Sequence, residues 1–140
     1  MKIVVDASVA VKWLIGDQAG EQDGSRAIAL LGAIQRGSVL ANQPLHWVTE
    51  VAAVVARIAP DRAVPAIALL THRKFTIIAS RSVYRRAALL ANSLNHHLFD
   101  TLYHAVALNE DATLVTADER YFAKAQGQGN IARLAEFAIG

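Results

Sequence analysis

Cysteine is absent from this 140-residue chain, which removes both a disulfide framework and any thiolate metal site. Aromatic residues make up only 6% and charged residues 19%, against 54% hydrophobic. That balance excludes a disordered chain and a coiled coil. The apolar part is carried by Ala, Val, Leu and Ile, which suits a helix-rich protein with buried strands. No apolar run reaches the roughly 20 residues a membrane span needs, because Lys12, Asp17, Arg57, Arg73 and Arg86 interrupt it. The opening Met1-Lys2-Ile3-Val4-Val5-Asp6 brings an acid too early for a secretory signal. The expectation is a soluble cytoplasmic protein without a membrane partner. No repeat or low-complexity linker divides the chain, so residues 1–140 are expected to form one domain with a real core.

What is present is an alternation. Met1 to Val5 is a short β-branched run of the kind buried on both faces of a parallel sheet. Ala7 to Ile15 reads as a helix. Ser25 to Arg36 does too, with Ile28, Leu31 and Ile34 near helical spacing and Gly37 as its stop. Ser38 to Ala41 is a strand candidate, and Pro44 is expected to open a long helix through Ile58. Asp61 is expected to cap the next helix. Phe75 to Ala79 reads as a strand, Ser82 to Leu94 and Phe99 to Leu108 as helices, and Thr113 to Thr116 as a strand. A helix over Glu119 to Ala125 and a last strand over Asn130 to Leu134 complete the pattern. Strands alternating with helices predict an α/β fold in three layers, helices on both sides of a parallel sheet of about five strands.

In such sheets ligands collect beyond the carboxyl ends of the strands. Asp6 directly follows the first strand, and Asp118 closely follows Thr116 at the end of the fourth. Asp100 opens the helix Phe99 to Leu108, and Glu50 lies on the helix expected from Pro44. Taken singly, Asp6, Asp100 and Asp118 read as ordinary helix caps. Glu50 is harder to dismiss: its neighbours are Val48, Val51, Ala52, Val54 and Val55, and no Lys or Arg lies within one turn. Burying an unpaired charge is costly, so a divalent cation is its expected partner.

The same segments resemble a known family. Ile3-Val4-Val5-Asp6-Ala7-Ser8 followed by Val11-Lys12-Trp13-Leu14 looks like the opening motif of PIN domains. Pro44 through Glu50 and Val51 is similar to their second acidic helix. Asp100-Thr101-Leu102-Tyr103-His104-Ala105-Val106-Ala107 resembles the third motif, and Leu114-Val115-Thr116-Ala117-Asp118 the fourth. Each motif alone is weak; all four in order over nearly the whole chain are strong, and the length suits the VapC-like toxin branch. Phe99 stands where a Tyr is frequent, and His104 takes a variable place.

The resemblance implies a Mg²⁺- or Mn²⁺-dependent endoribonuclease, with Asp6, Glu50, Asp100 and Asp118 as the acidic pocket and Thr116 supporting it. It also implies an RNA substrate, a small antitoxin partner and a homodimer. Clustered carboxylates raise one another's pKa unless a cation neutralises them, and hard oxygen ligands suit Mg²⁺, which keeps several of its waters. Asp6 and Asp118 are the expected direct ligands, Asp100 a ligand directly or through water, and Glu50 the group that orients the attacking water. The twelve acids less those four leave eight against 14 Lys and Arg, a basic surface around a negative hole.

Other residues stay open between readings. His104 is either a ligand or base, sharing a face with Asp100, or an ordinary packed histidine. His96 stands four residues before Asp100. His46 and Trp47 either contact RNA or pack in the core, and Arg81, Arg85 and Arg86 either hold phosphates or form a solvated face. A phosphorelay receiver would need paired acids after the first strand and a Lys after the last. A haloacid-dehalogenase-like phosphatase would need an acid where Ser8 stands. A PIN domain that only binds RNA or protein gains nothing from clustered negative charge.

Overall fold

The computed structural model describes residues 1–16 and 23–139. Five parallel strands form one sheet in the order β3-β2-β1-β4-β5. They are β1 (Lys2–Val5), β2 (Leu40–Pro44), β3 (Phe75–Ile78), β4 (Thr113–Thr116) and β5 (Ile131–Arg133). Between them run α1 (Ala7–Ile15), α2 (Gly24–Arg36), α3 (Trp47–Ile58), α4 (Ala63–Leu70), α5 (Arg81–Leu94), α6 (Leu98–Asn109) and α7 (Glu119–Ala125). The α/β expectation holds. Right-handed crossovers put α1–α4 on one face and α5–α7 on the other, because the chain reverses direction across the sheet after β3. Packing follows that division: α1 touches α2 and α3, α3 touches α4, and α5 lies on α6.

Ile3, Val4 and Val5 of β1 and Leu114 and Val115 of β4 are fully buried, as a centre covered on both faces requires. Trp47 is also fully buried, with its ring centroid 4.8 Å from Phe75, so it belongs to the core. On α2 the inward face is Ala27, Leu30, Ala33 and Ile34, while Ile28 is half exposed. Gly37 ends that helix at φ 80, a left-handed conformation that only glycine adopts without steric cost. No helix among the described residues is long and apolar enough to cross a membrane.

The second strand departs from expectation. It covers Leu40–Pro44 rather than Ser38 to Ala41, and α3 starts at Trp47, so Pro44 closes a strand instead of opening a helix. Asn42 and Gln43 look like a strand end, yet both are buried. Gln43 is satisfied by Val5: its Oε1 accepts from the Val5 N–H at 2.7 Å and its Nε2 donates to the Val5 carbonyl at 2.9 Å. Pro44 pairs with Ile78 at the end of the ladder, where its missing N–H is tolerated. Asp61 does not cap α4: it lies inside a 3₁₀ turn, Pro60–Arg62, and Arg62 precedes the helix without a side-chain cap.

Candidate functional site

The strand order locates a crevice. From β1 the chain goes to β2 on one side, and β4 returns on the other, so β1 and β4 flank the point where the order reverses. Helices leave such a point to opposite faces, and the gap beyond the strand ends is where ligands bind in open parallel sheets. Asp6 and Asp118 stand beyond those two strands. Val5 and Val115 are in register, and the Asp6 N–H donates to the Val115 carbonyl at 3.0 Å. The ladder therefore holds Asp6 up to its own backbone.

The two loops are stitched together by hydroxyls. Asp6 Oδ2 accepts from the Ser8 N–H at 3.2 Å, from the Ser8 hydroxyl through a short bond, and from Thr116 Oγ1 at 3.3 Å. Ser8 Oγ accepts from the Ala117 N–H, and Thr116 Oγ1 from the Asp118 N–H, each at 3.0 Å. Asp118 Oδ1 accepts from the Tyr121 N–H at 3.0 Å and caps α7. The cap reading and the site reading are thus compatible for Asp6 and Asp118. Asp100 is different. The residue before α6 is His97, without a side-chain cap, and Asp100 lies in the first turn with Oδ2 2.7 Å from His96 Nε2. Glu50, in the first turn of α3, accepts the Tyr103 hydroxyl on Oε1 at 3.0 Å.

Each of the four carboxylates therefore spends one oxygen on a fixed partner, and the other makes no hydrogen bond among the described residues. Glu50 Oε2 does face His46 Nε2 at 3.7 Å. His46 Nε2 donates to the Phe99 carbonyl at 2.8 Å, and burial holds its pKa below the ordinary value, so it stands there as a neutral ring. Lys12, buried on α1, lines the same cleft as Ser8 and Glu50.

Electrostatics ties the four together. Burial pushes Asp6 up to about 6 against the lowering effect of its Ser8 bonds, and the charges of Asp100 and Asp118 push it further. Burial pushes Glu50 up to about 7, Tyr103 opposes the shift, and Asp6 and Asp100 add to it. Tyr121 is held above the usual phenol range by burial and then by Asp100, Asp6 and Asp118. One negative field covers the crevice. Among the described residues no three His, Asp or Glu side chains close on a common point as a tight metal cage. The donor set fits a hydrated hard cation instead: carboxylate oxygens are the right chemistry, and Mg²⁺ binds one or two of them while retaining water.

His104 is not part of this group. It is fully buried; its Nε2 donates to the Gly129 carbonyl at 2.7 Å, and its Nδ1 accepts from the Tyr121 hydroxyl at 2.9 Å. It is a core histidine, kept neutral by burial. Arg85 and Arg86 line a groove with Ser82 and Asn109 between α5 and α6. A second cleft, about 340 Å³, joins Asp100 and Asp118 to His96, His97, Arg120 and Lys124.

A sequence model of the PIN domain matches residues 3–128. The chain belongs to the PIN-domain family. Two solved structures share the fold of this PIN domain over nearly its whole length. One is a toxin–antitoxin complex from Klebsiella pneumoniae, with TM-score 0.67, 18% identity, and 96% of this chain and 99% of that one covered. The other is VapBC2 from Rickettsia felis bound to a DNA fragment from their promoter, with TM-score 0.64, 16% identity, and coverage of 95% and 98%. No curated protein matches the chain significantly.

Gln43, Tyr103, Arg120 and Lys124 are the site neighbours that sequence reasoning passed over. Gln43 alone carries a local signal, a polar residue where β2 should be apolar.

Proposed function

We propose that this PIN domain, taken as one domain over residues 1–140, is an endoribonuclease that works with Mg²⁺ or Mn²⁺. The observation that carries the reading is the set of four carboxylates, each anchored by one oxygen and sharing one negative field, at the reversal point of the sheet. Bound there, a divalent cation would supply an activated water and charge compensation on the phosphate oxygens. Asp6, Asp118 and Asp100 would hold it. Ser8 and Thr116 keep Asp6 Oδ2 occupied, so Asp6 presents one oxygen in one orientation. Glu50, raised to about 7, suits a group that takes a proton from the attacking water near neutral pH. The Tyr103 hydroxyl fixes its Oε1 and leaves Oε2 for that proton.

The likeness to toxin–antitoxin complexes supports a finer reading: a VapC-like toxin, homodimeric and cytoplasmic, restrained by a small antitoxin. A Lys or Arg of that partner would compete with the cation for Asp6, Glu50, Asp100 or Asp118.

The deciding experiment incubates purified protein with RNA in Mg²⁺, in Mn²⁺ and in excess EDTA. Cleavage should need the metal, and undiminished cleavage in EDTA overturns the mechanism. Co-expression with any small reading frame beside the gene tests the finer reading. A monomer that copurifies with nothing, and whose expression leaves growth untouched, would leave a housekeeping nuclease.

A further inference from the structure

The corner between α5 and α6 carries a chain of hydrogen bonds that the roles above do not use. Lys124 Nζ, from the last turn of α7, donates to the Asn95 carbonyl at 3.0 Å and to His96 Nδ1 at 3.2 Å. His96 Nε2 stands 2.7 Å from Asp100 Oδ2. An ammonium has protons and no lone pair, so Nδ1 must be the acceptor. The neutral ring then carries its proton on Nε2 and donates it to the carboxylate. The donor at each step follows from valence rather than from a choice of hydrogen placement.

The ring is well held. Its side chain is 7% exposed and meets the Tyr121 ring edge-on at 4.9 Å. Asn95 ends α5 at φ 49, a left-handed conformation that Asn tolerates better than most residues. That turn lets His96 lie beside the first turn of α6, where Asp100 stands.

We propose that His96 is a positioning residue for Asp100, set in its Nε2–H form by Lys124. The proposal rests on the reading of Asp100 as a cation-binding carboxylate. A carboxylate on a solvent-facing first turn rotates freely about its last torsion; pinning Oδ2 leaves Oδ1 in one place. The same linkage couples two of the acids, because α7 presents Asp118 at its N-terminus and Lys124 near its C-terminus. Lys124 thereby ties the helix that starts at Asp118 to the turn that precedes Asp100. The imidazole between them also matters chemically. An ammonium placed directly on Asp100 would neutralise it and compete with a divalent cation for its oxygens. Through His96 the carboxylate receives an oriented hydrogen bond and keeps its charge. A ring N–H turned toward a ligating carboxylate is how outer groups fix inner ones around metals, and losing such a group typically costs about ten- to a hundred-fold in metal affinity.

The test begins without metal or RNA. In ¹⁵N-labelled protein, long-range ¹H–¹⁵N spectra should show His96 as the Nε2–H tautomer, and Lys124→Met should turn it into a tautomer mixture. Mn²⁺ affinity is then measured by calorimetry on His96→Gln and His96→Leu. The Gln amide can donate to Asp100 and accept from Lys124, so it should stay close to wild type. The Leu variant should weaken binding about ten- to a hundred-fold. An Nδ1–H tautomer in the wild type overturns the proposal, as do equal affinities of the Gln and Leu variants or an unchanged tautomer in Lys124→Met. If His96→Leu fails to fold, the Lys124→Met spectra and Mn²⁺ affinity decide. A wild-type protein that bound no Mn²⁺ would defeat the reading of Asp100 as a ligand, while the tautomer would still judge the relay.

Discussion

Gln43 and Val5 are joined by a pair of hydrogen bonds in which a side chain stands in for a strand. The Val5 N–H and carbonyl, which face β2, meet the Gln43 amide at 2.7 and 2.9 Å, where the β1–β2 ladder has stopped after Ile3 and Ala41. Val5 is the last residue before Asp6, so this clamp sets the backbone that aims the acid. Gln43→Leu should orphan both Val5 groups, at about 1–3 kcal/mol for each. A urea titration should show the loss of stability, and RNA cleavage by the remaining folded fraction should fall as well. Unchanged stability would mean the strands close up without the amide.

Asp6 at about 6 and Glu50 at about 7 make the metal-free protein respond to pH in the direction opposite to most acids. Both folded values lie above the ordinary 3.8 and 4.5. Below about pH 4 folded and unfolded chains alike hold these protons. As pH rises toward 7 the unfolded chain releases protons that the fold retains, so stability falls across that window and levels off above it. Burial is the larger cause and mutual repulsion the smaller; a bound Mg²⁺ would offset both by favouring the charged carboxylates. Its effect on melting temperature should be larger at pH 7.5 than at pH 5, and equal shifts at both would count against a shared carboxylate site.

Charge, not shape, is what Asp6→Asn and Asp118→Asn remove. An Asn oxygen can still accept from Ser8 or from the Tyr121 N–H, so both variants should fold. Without metal at pH 7.5, Asp6→Asn should melt no lower than wild type, because it deletes a buried carboxylate held above its ordinary pKa. Turnover should drop by orders of magnitude in each. A variant that cleaved at the wild-type rate would put the site elsewhere.

His104 should prove structural. Replacing it by Leu strips partners from the Tyr121 hydroxyl and the Gly129 carbonyl, with an expected loss of about 1–3 kcal/mol for a group left buried and unpaired. Mn²⁺ affinity, measured below the melting transition, should stay at the wild-type value. A loss of affinity without a loss of stability would return His104 to the site.

Arg120 lines the cleft that holds Asp100 and Asp118, yet it makes no ion pair among the described residues. A guanidinium left over beside carboxylates is suited to an RNA phosphate. Arg120→Gln should raise KM with little change in kcat and lower the salt slope of binding by about 1. An unchanged slope would make it an ordinary surface arginine.

The amino-acid sequence by itself determined the α/β class and the places of Asp6 and Asp118. Both facts are local: a β-branched run ends, a capping acid follows, and a helix begins. It also set Asp100 and Glu50 on helices, since apolar periodicity shows which segments coil. Tertiary structure decided the rest. The order β3-β2-β1-β4-β5 puts β1 against β4, and only that adjacency brings residues 6 and 118 across one crevice. Pro44 reads as the opening of a helix, yet it closes β2, where Val5 satisfies the buried Gln43 amide. His96 and His104 stand at equal distances from Asp100 along the chain, yet one meets its carboxylate and the other meets Tyr121 and Gly129. The physical reason is the same in each case. Backbone propensity and capping act over a few residues, whereas the partners of a buried polar group come from whichever elements the packing brings beside it.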